Sequence, residues 1–404
     1  MDAFVFAARQ VMPIGAAVRL FCIVSLALIF IGTRMVNRAI GGPDSRIYRV
    51  APLLCYGGPF QFGFLSFCFG IGLALVLFGV YLRLRDARLR WLVALFLPAG
   101  FALLISHLAA FGLFGIALGA YELAAARTLR EIARRLARAA CFMAPPFVVF
   151  LALSPAAAGT HAIRWSGMRE RAEAIAALTL FASPVAEITL LLLAAMGLAA
   201  ALATGVVRIR RETVAIAGAM GLAFLLAPRT ALGGGYIDYR LPWAESFFVL
   251  AALAPGPNPA RWPKLWFGTL VAARIALVAV LWLRWEPTLA GIDAALRKLP
   301  PGARLLTIEA DTGSTSADRS PPLVQTGAYA AAYRQAFVPS LFASVPGFIL
   351  HYQPEYRRLA PSPIPATLGE PDPAYTHVLA LRTTLPGTPI ASGRDFALYA
   401  VAKR

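Results

Sequence analysis

The sequence has little charge for its length. Only 14% of its 404 residues are Asp, Glu, Lys or Arg, while 59% are hydrophobic. A soluble globular domain is about one quarter charged, so this composition excludes an ordinary soluble enzyme. The same hydrophobicity excludes an intrinsically disordered chain, which buries too little apolar surface to fold.

Cysteines and known catalytic motifs are also scarce. The four cysteines all lie in apolar runs, with no CxxC or Cys/His spacing: Cys22, Cys55, Cys68 and Cys141. This pattern predicts small buried side chains, without a disulfide framework or a metal site. The sequence has no GxxxxGK[ST] or HExxH motif and no nucleophile elbow, which argues against an ATP-driven pump, a zinc protease and a serine hydrolase. We therefore expect no cofactor.

Acidic residues are fewer than basic residues, and the net charge is +18. Residues 1–285 hold 27 Lys and Arg against 11 Asp and Glu, whereas residues 286–404 hold 11 against 9. The basic excess therefore belongs to the apolar part of the chain, where positive residues mark cytoplasmic loops of membrane proteins. It is not interpreted as nucleic-acid binding.

Long apolar runs are what the sequence does contain. Single membrane crossings are predicted at about 11–33, 139–158, 187–207 and 266–284. Two further runs, 50–82 and 91–123, are 33 residues each. As one straight helix, each would be about 50 Å long, well beyond a hydrocarbon core of about 30 Å. Each run is either one tilted helix or two helices joined by a turn.

Five basic clusters help to choose between these alternatives. They are Arg34/Arg38, Arg83/Arg85/Arg88/Arg90, Arg127/Arg130/Arg134/Arg135/Arg138, Arg208/Arg210/Arg211 and Arg261/Lys264. If all five are cytoplasmic, an even number of crossings separates neighbouring clusters. This predicts a helical pair in 45–82 that turns near Tyr56-Gly57-Gly58-Pro59, and a second pair in 91–124 that turns near His107. Outer loops follow at about 159–172 and 229–242, and residues 125–138 form an amphipathic cytoplasmic helix.

The predicted fold class is therefore an all-α polytopic membrane bundle of about ten spans, with a small C-terminal α/β domain. The transmembrane domain covers 1–285 and the α/β domain 286–404. In this tail, strands are predicted at Leu305–Ile308, His377–Leu381 and Phe396–Val401, with a helix at about 326–337. The last span would place the tail outside a bacterial inner membrane.

Polar residues collect at the predicted outer ends of the spans, most densely in Gly233–Glu245. Asp238 and Arg240 are two residues apart and would project to one side of an extended loop. In the functional interpretation, Arg240 binds a phosphate, Asp238 orients Arg240 or acts as a base, and Tyr236 contributes to binding. The alternative is a structural Asp–Arg pair that fixes the loop.

Four further residues are candidates, each with a plainer alternative. His107 is a candidate binding residue or a packed histidine at a helix turn. Arg164 and Trp165 contact a lipid headgroup or serve as an interfacial anchor. Glu187 is a candidate general base, or a first-turn acid that complements the helix dipole.

Four segments of the chain resemble the GT-C superfamily of membrane glycosyltransferases, within a similarity that covers most of residues 30–404. They are Tyr56–Phe67 with the apolar helix after it, Ile105–Phe111, the Asp238-Tyr239-Arg240 loop and Phe337–Phe342 in the tail. The resemblance implies a transfer of sugar from a polyprenyl-phosphate lipid donor to a glycan or lipid acceptor at the outer face. That family usually carries an acidic catalytic residue in its first outer loop. No such loop follows the first span here, so the resemblance assigns no catalytic base.

Two functional hypotheses follow. One is a glycosyltransferase-like enzyme with Asp238, Arg240 and Glu187 converging beneath the tail domain. The other is a lipid or polysaccharide transporter, or an accessory membrane protein, without chemistry of its own. Discontinuous helices at 50–60 and near 107 suit either hypothesis.

Overall fold

A computed structural model of the chain describes residues 1–153, 163–179, 183–231, 234–309, 323, 325–339, 341, 352–359 and 374–401. The chain forms two compact units, residues 1–275 and 276–404. The predicted domain boundary at 285/286 and this division both fall within one long helix, Trp262–Leu296.

The first unit is helical. Its α-helices are α1 (Asp2–Ala8), α2 (Ile14–Gly41), α3 (Pro52–Cys55), α4 (Gly58–Gln61), α5 (Leu65–Leu84), α6 (Leu89–Ser106), α7 (Leu108–Ala125), α8 (Leu129–Leu153), α9 (Met168–Ala176), α10 (Pro184–Ala203), α11 (Arg211–Leu226), α12 (Ile237–Ala252) and α13 (Trp262–Leu296), the last of which continues into the second unit. Two short antiparallel ribbons accompany them, β1 (Val207–Arg208) with β4 (Ala254–Pro255) and β2 (Thr230–Ala231) with β3 (Gly234–Gly235).

Seven helices in the described part of the chain are long and apolar enough to cross a membrane: α2, α5, α6, α7, α8, α10 and α13. The protein thus has the helices of a multi-pass membrane protein. The two crossings predicted between Arg211 and Arg261 correspond to α11 and α12, of 16 residues each. The count of about ten spans stays a prediction.

The predicted helical pair in 91–124 is confirmed. Helices α6 and α7 are 18 residues each and break at His107. The amphipathic segment 125–138 is not a separate helix, because α8 continues from it into the apolar run up to Leu153. The amphipathic part and the apolar run therefore belong to one continuous helix.

The predicted pair in 45–82 is wrong in its first member. Residues 47–61 form a 3-10 turn (Ile47–Val50) and the one-turn helices α3 and α4, and only α5 has the length of a span. The predicted break at Tyr56 and Gly57 is present, because Tyr56 ends α3 and Gly57 precedes α4.

Close packing of α2 on α5 shows what this broken segment does. A Cβ added at Gly72 would lie 2.6 Å from Cβ of Leu28, and one added at Gly79 would lie 2.6 Å from Cβ of Met35. The contact seven residues later in α5 is also seven residues later in α2, so the two helices run parallel. Residues 42–64 must then return along about 30 Å, the length of the 20-residue α5. Residues 42–64 therefore return along α5 as a broken path instead of a helix.

The second unit contains a four-stranded sheet. Its strands are β5 (Leu305–Glu309), β6 (His377–Leu381), β7 (Ala391–Gly393) and β8 (Phe396–Ala400), in the order β5-β6-β8-β7. Strand β5 is parallel to β6, and the other pairs are antiparallel. The three predicted strands are confirmed, and the helix predicted at 326–337 corresponds to a 3-10 turn (Thr326–Ala328) followed by α14 (Tyr329–Arg334).

The sheet packs one face against the end of α13. Leu296, Leu379 and Leu398 share one buried cluster, and none of the three is exposed. Alternation along β6 and β8 supplies these inward residues, as expected for a sheet with a helix on one face. Ser340 and Phe342 of the tail motif, like Gly233, lie outside the described residues.

Candidate functional site

The start of α12 organises the polar residues that the sequence singled out. Tyr236 precedes the helix in the left-handed conformation, with φ 57° and ψ 37°, and Asp238 lies in the first turn. A left-handed non-glycine residue is uncommon and carries some strain. An acid in the first turn is favourable because the helix dipole is positive there.

Asp238 is fully buried, and its carboxylate is held from two directions. Ser166 Oγ donates a hydrogen bond to Oδ2, and Arg229 Nη1 lies 3.4 Å from Oδ1. The partner of Asp238 is therefore Arg229 and not Arg240. The expectation that Asp238 and Arg240 share one side is wrong, because both belong to a helix, in which residues two apart point about 200° away from each other.

Arg229 ties this carboxylate to neighbouring segments. Its guanidinium carbon lies 4.3 Å from the ring centre of Tyr236. Its backbone N–H donates to Arg164 O at 2.7 Å, and Arg164 N–H donates to Thr230 O at 3.2 Å. Arg164 thus contributes its backbone to the site, while its side chain pairs with Glu170. The neighbouring Trp165 is exposed.

Arg240 has a different environment. Its guanidinium carbon lies 3.7 Å from the ring centre of Phe64, and Nη2 donates to Gly235 O at 2.8 Å. Nη1 lies 3.2 Å from His107 Nε2, and the buried Nε has no hydrogen-bond partner in the described part of the chain. Among the described residues, no carboxylate forms an ion pair with Arg240.

His107 separates α6 from α7 and caps the second of these helices. Its Nδ1 accepts a hydrogen bond from the backbone N–H of Ala109 at 3.2 Å. Because Nδ1 accepts this bond, the tautomer that fits the contact carries its proton on Nε2. In this tautomer, Arg240 Nη1 and His107 Nε2 present N–H donors to each other.

Aromatic side chains surround these two donors. Phe62 and Phe64 follow α4, and their ring centres lie 6.4 and 6.5 Å from that of Tyr236. Tyr239 contacts Phe62 edge-on at 5.3 Å. Phe62 and Tyr236 are about half exposed and lie at the rim.

An apolar groove begins one helical turn beyond His107. It has a volume of about 290 Å³ and lies between α7 and α8, lined by Phe111, Gly112, Gly115, Ala140, Met143, Ala144 and Phe147. Phe111 N–H donates to His107 O, which places the two residues on successive turns of α7.

Glu187 belongs to a separate buried cluster. Its Oε1 lies 2.5 Å from Arg274 Nη1, and the two side chains are 0% and 1% exposed. Arg274 Nη2 also donates to Tyr56 O at 2.8 Å and to Thr179 O at 2.5 Å. Glu187 Oε2 accepts from Ser183 N–H, as the helix-dipole interpretation expects. These contacts favour a structural role for Glu187.

Neighbouring segments supply hydrogen-bond partners for the backbone of residues 47–61. Trp243 Nε1 donates to Leu54 O at 2.7 Å, and Gly58 N–H donates to Ala177 O at 2.6 Å. Irregular backbone at membrane depth is tolerated only where protein groups satisfy its carbonyls and amides. Arg274 and Trp243 do so at the break.

Sequence reasoning identified Arg240, His107 and Tyr236 but missed three contacts. Phe64 lay within a quoted motif without a role, and Ser166 carried no signal as a short polar residue in a loop. Arg229 was detectable as an unexplained cation directly after an apolar run. Within the described residues, no group of three or more His, Cys, Asp or Glu side chains is placed to hold a metal ion.

Comparison with known proteins gives no relative. No protein-family model matches the chain, and neither a curated protein nor a solved structure matches it.

Proposed function

We propose that the protein is a membrane-embedded glycosyltransferase that acts on polyprenyl-phosphate-linked sugars at the outer face of a bacterial inner membrane. The observation that supports this proposal best is the facing pair of donors, Arg240 and His107 Nε2–H, 3.2 Å apart and without a carboxylate partner among the described residues. An anionic oxygen between Arg240 and His107 could accept a hydrogen bond from each of them.

A phosphodiester attached to a lipid fits this surrounding. Phe64 lies against one face of the Arg240 guanidinium, so the edge of that group stays available for a planar pair of oxygens. The apolar groove that starts at Phe111 lies one turn away, where an isoprenoid chain would continue from the phosphate. Polar and apolar parts of the donor would thus lie along α7.

The chemistry follows from these positions. An acceptor hydroxyl oxygen attacks the anomeric carbon, the bond from that carbon to the lipid phosphate oxygen breaks, and the phosphate leaves as an anion. Arg240 and His107 stabilise the charge that develops on this phosphate. The proton of the acceptor hydroxyl passes in this proposal to the Asp238 carboxylate, which Ser166 and Arg229 hold in place.

The outer location rests on charge. Arg240 and His107 lie at the start of α7, and the arginine-rich loops 83–90 and 127–138 lie at or beyond its other end. Positive loops favour the cytoplasmic side. The donor pair would then open outward, and a C-terminal domain following the last span would be extracytoplasmic.

The test is turnover of radiolabelled polyprenyl-phosphate sugars by the purified protein in detergent. Arg240→Ala and Asp238→Asn are compared with Glu173→Gln, a matched control at an exposed carboxylate. We expect consumption by the wild type and the control, with a loss of at least about a hundredfold in both site variants. Turnover that persists in Arg240→Ala would contradict the proposal.

A second function, transport of a lipid-linked substrate without chemistry, is favoured by one observation. Residues 42–64 return across the bundle as a broken path, and transporters place such discontinuous segments at their substrate sites. Binding of the polyprenyl-phosphate lipid without consumption, and its passage across reconstituted vesicles, would support this alternative.

A further inference from the structure

Two segments at one end of the helical unit are rich in arginine. They are the α5–α6 connection and the start of α8, residues 83–90 and 127–138, with nine arginines and two acidic residues. The two segments are held together. Arg138 Nη2 donates to Ala87 O at 2.7 Å and to Arg85 O at 3.2 Å, and Arg85 Nη1 donates to Tyr121 Oη at 2.5 Å. We call this surface the basic face.

Few of these charges are neutralised within the protein. Arg135 pairs with Glu122 and Glu131, and Arg85 pairs with Asp86. Six exposed arginines form no ion pair among the described residues: Arg83, Arg88, Arg90, Arg127, Arg130 and Arg134. The basic face therefore presents six cations without a carboxylate partner in this part of the chain.

Exposed apolar side chains lie among these arginines. Trp91 is 62% exposed beside the Arg90 guanidinium, and Leu129 is 84% exposed at the first residue of α8. Large apolar residues interleaved with cations at the end of spans suit the boundary between headgroups and acyl chains. A nucleic acid or an acidic protein would give these apolar groups no comparable environment.

We propose that the basic face binds the headgroups of anionic phospholipids in the leaflet at that end of the bundle. Because α8 is a continuous 25-residue helix, headgroups bound at Arg130 and Arg134 would fix the depth of its apolar remainder in the membrane. This site is distinct from the donor pair, since the 18 residues of α7 separate the two by about 27 Å.

The experiment measures lipid binding to the purified full-length protein in a neutral detergent by native mass spectrometry. The probes are dioleoyl-phosphatidylglycerol and dioleoyl-phosphatidylcholine. The test variant is Arg130→Gln/Arg134→Gln, and the matched control is Arg9→Gln/Arg394→Gln, which removes two exposed arginines elsewhere. Elution as a single symmetric peak in size-exclusion chromatography verifies that each variant is folded.

We expect the wild type to prefer phosphatidylglycerol and the test variant to bind it about tenfold more weakly, or worse, while the control keeps the wild-type affinity. Arg240→Ala should also keep it, which separates this site from the donor pair. Equal binding of the two lipids, or an unchanged affinity in the test variant, would overturn the proposal. Displacement of the lipid by an equal concentration of inorganic phosphate would overturn it as well, because the face would then recognise free phosphate.

Discussion

At the scale of the residue, Arg274 and Arg240 differ in how their charge is balanced. Arg274 donates to the Glu187 carboxylate and to the carbonyls of Tyr56 and Thr179, so its charge is met inside the protein. Arg240 faces another donor and an aromatic ring instead. The first arrangement is expected of a structural residue, and the second of a residue that awaits a ligand.

Removal of Glu187 should therefore destabilise the fold. Glu187→Ala leaves the Arg274 guanidinium buried without its carboxylate, and we expect a loss of about 3–5 kcal/mol in the free energy of unfolding. Thermal unfolding in detergent measures it. The double variant Glu187→Ala/Arg274→Leu should recover much of the loss, because no charge is then buried. If the single variant unfolds like the wild type, the pair does not hold the break at Tyr56 together.

Replacement of Arg240 should have the opposite effect on stability. Arg240→Met removes a half-buried cation that has no carboxylate partner among the described residues, so the melting temperature without lipid should stay equal or rise. Stabilisation by added polyprenyl phosphate should disappear. Arg229→Met is the comparison, since it strips Asp238 of its cation and should lower the melting temperature. A fall in melting temperature for Arg240→Met would show that Arg240 is structural.

The sequence indicated which residues would be at the site better than how they would pair. Arg240 and Asp238 are close in sequence, and spacing alone predicts their relation only if the local conformation is known. The expectation of a shared side assumed an extended loop, but the helix starts at Ile237 and turns the two side chains apart. The true partners of Asp238, Ser166 and Arg229, come from tertiary contacts that spacing cannot predict.

At the scale of the element, hydropathy gave the lengths of the apolar runs but not their continuity. The break at His107 and the one at Tyr56 were both expected from the sequence. However, the path before Tyr56 is not a helix of span length. The side chains of Trp243 and Arg274 donate hydrogen bonds to its carbonyls, which a helix would otherwise satisfy. Both partners are more than 180 residues away in the chain.

Trp243 should accordingly matter through its indole N–H. Trp243→Phe keeps an aromatic ring but leaves the carbonyl of Leu54 without its donor in a buried site, so we expect a loss of about 1–3 kcal/mol in the free energy of unfolding. Trp91→Phe, at an exposed position, is the control and should change stability little. An equal effect of the two substitutions would mean that the indole N–H does not satisfy the broken segment.

Contact between α2 and α5 should depend on the absence of a side chain at Gly72. Gly72→Ala places a Cβ 2.6 Å from that of Leu28, so the helices must separate, at a cost of about 1–3 kcal/mol in stability. Gly119→Ala is the matched control in a helix of similar hydropathy, because nothing lies within 4 Å of its Cβ. It should be neutral or stabilise by up to about 1 kcal/mol through helix propensity. A stabilised Gly72→Ala would contradict the close parallel packing.

At the scale of the whole molecule, charge and packing agree on one orientation of the helical unit. Parallel α2 and α5 bring Arg34 and Arg38 to the same end as Arg83 and Arg85. Arg138 brings the start of α8 to that end too. Phe62, Phe64 and His107 meet Arg240 or Tyr236 at the other end. The positive-inside rule supports the orientation that we propose, with the first end in the cytoplasm and the donor pair outside.

This orientation predicts a labelling pattern for single cysteines. In a background with the four native cysteines changed to Ala, Asp86→Cys and Thr128→Cys report on the basic face, and Phe62→Cys and Trp165→Cys report on the end with the donor pair. A membrane-impermeant maleimide should label the latter two in intact cells and the former two only in inverted vesicles. Because Asp86 and Thr128 lie within the two segments that Arg138 joins, they must be labelled from the same side in either orientation. Labelling of Asp86→Cys and Phe62→Cys from the same side would contradict α5 as a full crossing. If Asp86→Cys and Thr128→Cys were labelled in intact cells and the other two only in inverted vesicles, the donor pair would lie in the cytoplasm.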